Sequence, residues 1–169
     1  MIVKADISHL DAAWRIIDRC RASLRERGIF QWDDVYPTRE DVEADIGAGR
    51  LYALTTGEHP QAIVTMDSIQ EPEYATLSWM SPEPALVVHR LCVDPSAQGR
   101  GLGGQLMDYV EKHASRHRFA SIRLDAYSGN PQALSLYRRR GYREVGQVLF
   151  PRRTLPFCCF ELNVGSGPV

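Results

Sequence analysis

No stretch of this 169-residue chain is apolar for anything near the roughly 18 residues that a membrane-spanning helix needs. The opening MIVKADISHL lacks the basic, apolar and small-residue regions of a secretory leader, so a cytoplasmic protein without a membrane partner is expected. An excess of one charge is missing too. Twenty Lys and Arg against 21 Asp and Glu leave a net charge of −1, which gives neither nucleic acid nor an anionic membrane a surface to bind. The local run Arg138-Arg139-Arg140 reads as a phosphate-facing or solvated helix end. Cysteine is sparse: Cys20, Cys92, Cys158 and Cys159 form no C-x-x-C pair and no disulfide ladder, so buried thiols are expected and no metal site is assigned. Repeats and linkers are absent as well. One domain over 1–163, followed by a tail over 164–169, accounts for the length.

The elements follow from periodicity and punctuation. Ile2 to Ala5 reads as a strand, and Ser8 caps a helix to about Arg27, with Leu10, Ala13, Trp14, Ile17, Cys20 and Leu24 at helical spacing and Gly28 closing it. Thr38-x-x-Asp41 opens a second helix to about Ile46, closed by Gly47 and Gly49. Leu51 to Thr55 and Ala62 to Ile69 read as a hairpin around Gly57, and Gln70 to Pro84 mainly as loop. A central strand, Leu86 to Val93, precedes a glycine-dense turn and a helix from Gln105. Ser121 to Ala126 is the next strand, Pro131 to Arg140 a helix, and Tyr142 to Leu149 and Phe157 to Asn163 the closing strands. Gly165 to Val169 reads as a frayed tail. The order β-α-α-β-β-β-α-β-α-β-β makes a mixed α/β sheet with helices on both faces.

The turn Gln98-Gly99-Arg100-Gly101-Leu102-Gly103-Gly104 carries the chemistry. A strand, a glycine loop and a helix amino-terminus aim several N–H groups and a helix dipole at one point, which suits a phosphorylated ligand. The loop fits two descriptions. Gly99-x-Gly101-x-x-Gly104 with Asp125 further on is the dinucleotide fingerprint of an oxidoreductase. Gln98-x-x-Gly101-x-Gly103 is the pyrophosphate loop of an acetyltransferase. Asp94 to Gln98 intervene between strand and first glycine, and only 44 residues follow Asp125, so the second description is favoured and the first is the runner-up.

Asn130-Pro131-Gln132-Ala133-Leu134-Ser135-Leu136-Tyr137-Arg138-Arg139-Arg140-Gly141-Tyr142 supplies a second block. With the glycine turn before it, the chain resembles the GCN5-related N-acetyltransferases (GNAT), whose blocks are Q/R-x-x-G-x-G/A and N-x-x-A-x-x-L-Y-x-x-x-G-F, with Tyr142 standing for the last Phe. The resemblance implies a mostly antiparallel twisted sheet of about seven strands and four helices with a splayed central pair. It implies acetyl-CoA as cofactor and direct transfer to a primary amine, small-molecule or exposed amino group, in a ternary complex. Leu91, Cys92 and Val93 would hydrogen-bond pantetheine through the main chain, with an N–H near Val93 as oxyanion donor. Gln98, Gly99, Arg100, Gly101, Leu102, Gly103 and Gly104 would hold the pyrophosphate, Asn130 and Ala133 would line the pantetheine arm, and Tyr137 would be the general acid to the sulfur. His89 resembles a base found in aralkylamine acetyltransferases, whereas Val87 cannot titrate.

Other readings stay open beside these. Tyr137 also suits a core face with Ala133 and Leu136, and Asn130 suits an N-cap before Pro131; the two roles of Asn130 are compatible. His89 shares a face with Leu91 if the strand is regular, and equally suits a packed neutral group. Glu71, Glu73 and Glu83 are alternative bases, and Asp125 with Arg90 or Arg123 reads as a structural ion pair. Trp32 and Tyr36, with Glu71, are the acceptor-wall candidates; Trp32 and Tyr36 also suit a cover for the core. Asp33 and Asp34 would attract a cationic amine or simply be solvated. A non-catalytic acyl-CoA-binding module of this fold is the alternative function. The closing strands offer an edge for a homodimer, although nothing in the residues demands one.

Overall fold

Several helical segments begin where a short polar side chain takes up an orphan N–H group. The computed structural model describes residues 1–57 and 59–165. Asp6, rather than Ser8, starts the first helical segment: its carboxylate accepts from the Ser8 N–H and caps a 3₁₀ turn over Ile7–His9. Helix α1, Leu10–Glu26, continues from it and buries Leu10, Ala13, Ile16, Ile17, Cys20 and Leu24. Trp14, expected in that stripe, is half-buried with the Arg21 guanidinium 5.4 Å from its ring centre. Helix α2, Arg39–Gly47, has the capping box expected of Thr38 and Asp41, which bond each other's N–H at 2.7 and 3.2 Å.

The chain forms two compact units, and three elements pass from one to the other, one of them only at its last residue. The first unit takes Met1–Met66 and His89–Tyr109. In it strands β1 (Ile2–Lys4), β2 (Leu51–Thr56) and β3 (His59–Asp67) pair antiparallel, with Ile2 opposite Leu54 and Leu51 opposite Thr65. Strand β3 starts earlier than its apolar run and stops at Asp67 rather than Ile69, because the Asp67 carboxylate accepts the Ile69 N–H and turns the chain.

The second unit takes Asp67–Val88 and Val110–Val169. Strand β4, Ala85–Val93, begins here and ends in the first unit. Its first residues pair parallel with β5 (Ser121–Tyr127) from Ala85↔Ser121 to Val88↔Leu124. Strand β7 (Phe157–Asn163) pairs antiparallel with β5 along its length and with β6 (Arg143–Val148) on its other side. A Cβ at Gly146 would lie 2.7 Å from Leu77 Cδ2, so that side chain would have to shift, and the β6–β7 register shifts beside it. The stretch read as loop from Gln70 contains a 3₁₀ turn over Pro72–Thr76.

The seven strands are ordered β1-β2-β3-β4-β5-β7-β6. Helix α3, Leu102–Arg116, starts at Leu102 instead of Gln105, so Gly103 and Gly104 belong to its first turn. Helix α4 is Pro131–Arg139. Of the tail expected over 165–169, residues 166–169 lie outside the described residues. No described helix is long and apolar enough to cross a membrane.

Candidate active site

In the first unit the candidate site is built on the end of β4. Leu86, Val87 and Val88 are all buried, His89, Arg90 and Leu91 are all half-buried, and Cys92 is buried again. A regular strand would alternate. The break is at Arg90, whose φ of +46° is left-handed. The premise that put His89 on one face with Leu91 therefore does not hold.

Beyond Val93 the chain is tied down before it opens. The Val93 carbonyl accepts from Cys20 Sγ at 3.0 Å and from the Gln98 side-chain amide at 3.2 Å, and the Asp94 N–H donates to Gln61 O at 2.8 Å. Asp94 also takes the Ser96 N–H and hydroxyl on Oδ1 and Arg19 Nη1 on Oδ2. Gln98 thus meets the loop's own main chain through its side chain. The next residues, Gly99 and Gly101, have φ of +79° and +75°, and a Cβ built on either meets nothing within 4 Å. Glycine is needed there for the backbone angle, and the open space leaves room for a ligand to approach. Gln98 to Gly101 are exposed, and Gln105 N–H reaching Gly101 O at 3.1 Å begins the α3 ladder. The first N–H groups of a helix have no intrahelical acceptor, so Leu102, Gly103 and Gly104 add donors to the loop. This donor set fits a diphosphate.

The acceptor-wall candidates in this unit differ in kind. Trp32 is 9% exposed, so its ring covers the core. Tyr36 is half-buried, with its hydroxyl accepting a bond from Arg90 Nη1 and its ring centre 5.7 Å from that guanidinium. Asp33 takes the N–H groups of Val35 and Tyr36 on its carboxylate, and Asp34 pairs with Arg25 at the surface. Asp33 shapes the turn, then.

In the second unit Asn130 caps α4. Its side chain accepts the Ala133 N–H at 3.2 Å, with Pro131 at the first helical position as its sequence suggests. Tyr137 lies seven residues along, about two turns, and is 6% exposed. Its ring meets Tyr142 edge-on at 5.8 Å and Phe160 at 6.0 Å, and no hydrogen bond joins its hydroxyl to another described residue. Burial, and then the negative charge of Asp125, raise its pKa well above the ordinary phenol value. The α4 residue buried beside it is Leu134, not Leu136.

The carboxylates of this unit are mostly engaged. Glu83 accepts from Gln70, Arg123 and the Ala85 N–H; burial opposes its ionisation, but these bonds win and lower its pKa. Asp125, expected beside Arg90 or Arg123, instead accepts the Tyr74 hydroxyl at 2.6 Å. Arg123 goes to Glu83, Glu161, Gln70 Oε1 and Ser81 O, and Arg90 goes to Asp45. Glu71 precedes the 3₁₀ turn and makes no side-chain cap.

The structure therefore brings Leu91 to Val93 together with Gln98 to Gly104, near His89 in sequence and with Tyr36 reached through Arg90. Asn130 and Ala133 meet on α4 ahead of Tyr137, in the unit that also holds Glu71. No group of three or more metal-ligating side chains occurs among the described residues. Sequence reasoning missed Asp45 and Tyr74, both nearly fully buried. Asp45 did carry a signal: it shares a helical face with Val42, three residues before it, so a carboxylate sits in an apolar stripe.

A family model described as the acetyltransferase (GNAT) family matches residues 15–142. An N-alpha-acetyltransferase RimI from Mycobacterium tuberculosis is 36% identical over 75 residues, which are 43% of this chain and 46% of that protein. The match thus spans about half the length of that relative. An L-2,4-diaminobutyric acid acetyltransferase from Nocardia farcinica is 22% identical over 87% of this chain and 80% of its own. Among solved structures, a GNAT-family acetyltransferase of Streptococcus agalactiae superposes with a TM-score of 0.83 at 20% identity, covering 96% of this chain and 94% of that one. The yncA protein of Salmonella typhimurium, solved with its cofactor acetyl-CoA, superposes with a TM-score of 0.75 at 16% identity over 100% of this chain and 96% of its own.

Proposed function

Since the chain belongs to the acetyltransferase (GNAT) family, we propose that it transfers an acetyl group from acetyl-CoA directly to a primary amine, without a covalent enzyme intermediate. The observation that carries this reading is the exposed Gln98–Gly101 loop, with two left-handed glycines, feeding the amino-terminus of α3. Acetyl-CoA would supply an activated thioester and a diphosphate handle. The N–H groups from Gly99 to Gly104 hold the handle, and the main chain of Leu91 to Val93 orients the arm. The Val93 N–H is the donor we assign to the oxygen that gains charge. The Val93 carbonyl, already bonded by Cys20 and Gln98, keeps this segment in place.

Two protons remain to be handled. The attacking amine must be neutral, although an alkyl ammonium has a pKa of about 10.4. His89 is the base we assign, with Glu71 as the carboxylate alternative. The departing thiolate needs a proton, and Tyr137 holds one at neutral pH because burial resists its ionisation. Asn130 and Ala133 line the arm at the start of α4. Tyr36 is the acceptor contact we assign, and Trp32 supports that wall from the core side.

Isothermal titration with acetyl-CoA, followed by thiol release with an amine panel of diamino acids and peptides with free amino-termini, tests the reading. Saturable binding and amine-dependent release of CoA are expected. Binding without release from any amine would leave a sensor of acyl-CoA instead, and no binding at millimolar acetyl-CoA would remove the proposal altogether.

A further inference from the structure

Arg90 occupies a conformation that its side chain does not favour. At φ +46° the Cβ of a non-glycine residue crowds the following carbonyl, and arginine has no local hydrogen bond to offset this. All three nitrogens of its guanidinium, however, donate inside the first unit. Nε donates to Asp45 Oδ2 at 3.0 Å, Nη2 donates to the same oxygen, and Nη1 donates to the Tyr36 hydroxyl. Asp45 is 2% exposed and is itself fixed, accepting the Thr65 hydroxyl at 2.9 Å and facing Arg50 Nη2 at 3.4 Å.

The direction of β4 changes at this residue. Before it Leu86 to Val88 are buried without a break; after it Leu91, Cys92 and Val93 resume alternation. A left-handed residue inside a strand re-aims the main chain that follows, as in a bulge. Glycine would adopt this angle freely, but here the angle belongs to an arginine held by a carboxylate 45 residues away in sequence.

We infer that Asp45, Arg90 and Tyr36 form a positioning device that fixes the left-handed turn of β4 and so aims the Leu91–Val93 main chain at the pantetheine arm. The inference rests on the proposed reading of that strand as the cofactor edge. Asp45 and Arg90 are positioning residues: they touch no substrate and act through the backbone of residue 90. The same bond to the Tyr36 hydroxyl ties the acceptor wall to this turn, so the two sides of the reaction share one anchor.

Two double variants separate this role from simple neutralisation of a buried charge. Asp45→Asn with Arg90→Ala and Asp45→Asn with Arg90→Gly lose the same ion pair and differ only in the backbone preference at residue 90. Calorimetry with acetyl-CoA and with 3′-phospho-ADP, the fragment lacking pantetheine, provides the readout. The alanine variant should bind acetyl-CoA about tenfold more weakly and the fragment within about twofold of wild type, while the glycine variant regains acetyl-CoA affinity. Equal acetyl-CoA affinity in the two variants, or equal weakening toward both ligands, would overturn the inference. If the alanine variant does not fold, Arg90→Lys carries the test, because an ammonium cannot span Asp45 and Tyr36 in the guanidinium's fixed fork. Selective loss of acetyl-CoA affinity supports the device, and an unselective loss or none defeats it. Wild-type protein that binds neither ligand would instead defeat the enzyme reading itself.

Discussion

A tyrosine that gives a proton to a departing thiolate must still hold that proton at working pH, and its hydroxyl must not be spent on the protein. Tyr137 meets both conditions: burial raises its pKa, and none of the described residues takes its hydroxyl. Tyr74 has an equally buried ring but donates to Asp125, which keeps it structural. Tyr137→Phe should therefore lower kcat roughly 100-fold, the scale of a lost general acid, with the calorimetric Kd for acetyl-CoA unchanged. An unaltered kcat with a true acceptor would remove Tyr137 from the mechanism. The ring contacts with Tyr142 and Phe160 survive in phenylalanine, so misfolding is not the expected result.

At the scale of elements, the glycine loop makes a comparable prediction. Gly101 has φ +75° and open space around it, so Gly101→Ala clashes with nothing in the protein and acts through the backbone alone. A left-handed alanine costs about 1–2 kcal/mol. The melting temperature should fall by only a few degrees, while acetyl-CoA affinity drops about tenfold or more because the N–H groups no longer converge. Retained affinity in the same calorimeter would show that this loop does not cradle the diphosphate.

The elements themselves were largely legible. Thr38 and Asp41, Asn130 and Pro131, and the apolar runs of β2, β5 and β7 carry their own punctuation, and the structure keeps all of them. Legibility failed where a residue acts against its type. Nothing about arginine announces the left-handed turn at Arg90, and nothing local links it to Asp45. Gly103 and Gly104 look like loop residues, yet they lie in the first turn of α3. Glu161, 1% exposed, accepts the N–H groups of Met80 and Ser81 and faces Arg123; those partners are 81, 80 and 38 residues away, beyond any local pattern.

For the molecule as a whole, β4 and α3 each run from one compact unit into the other, and the family match from 15 to 142 draws on both. On that basis we read 1–163 as one acetyltransferase domain. Its stability should be sensitive to alkali. Tyr74, Tyr137 and Tyr142 are all raised above the ordinary phenol pKa, by burial first and then by Asp125 for Tyr74 and Tyr137 and by Glu111 for Tyr142. Cys92 is raised by its hydrogen bond with Cys20 and by burial, and Cys158 and Cys159 chiefly by burial. A raised acid keeps its proton in the folded chain after the unfolded chain has lost it. Its contribution to stability is full below the unfolded pKa, about 8.5 for cysteine and about 10 for tyrosine, and declines above that value. Each such group removes up to ~1.4 kcal/mol per pH unit in that range. Thermal melts followed by circular dichroism should therefore change little between pH 7 and 8, decline beyond about 8.5, and fall steeply above about 10. Tyr142→Phe removes one of these protons and should lessen the drop between pH 8 and 10.5. A drop as large as in the wild-type chain would mean that the buried hydroxyls do not govern its alkaline unfolding.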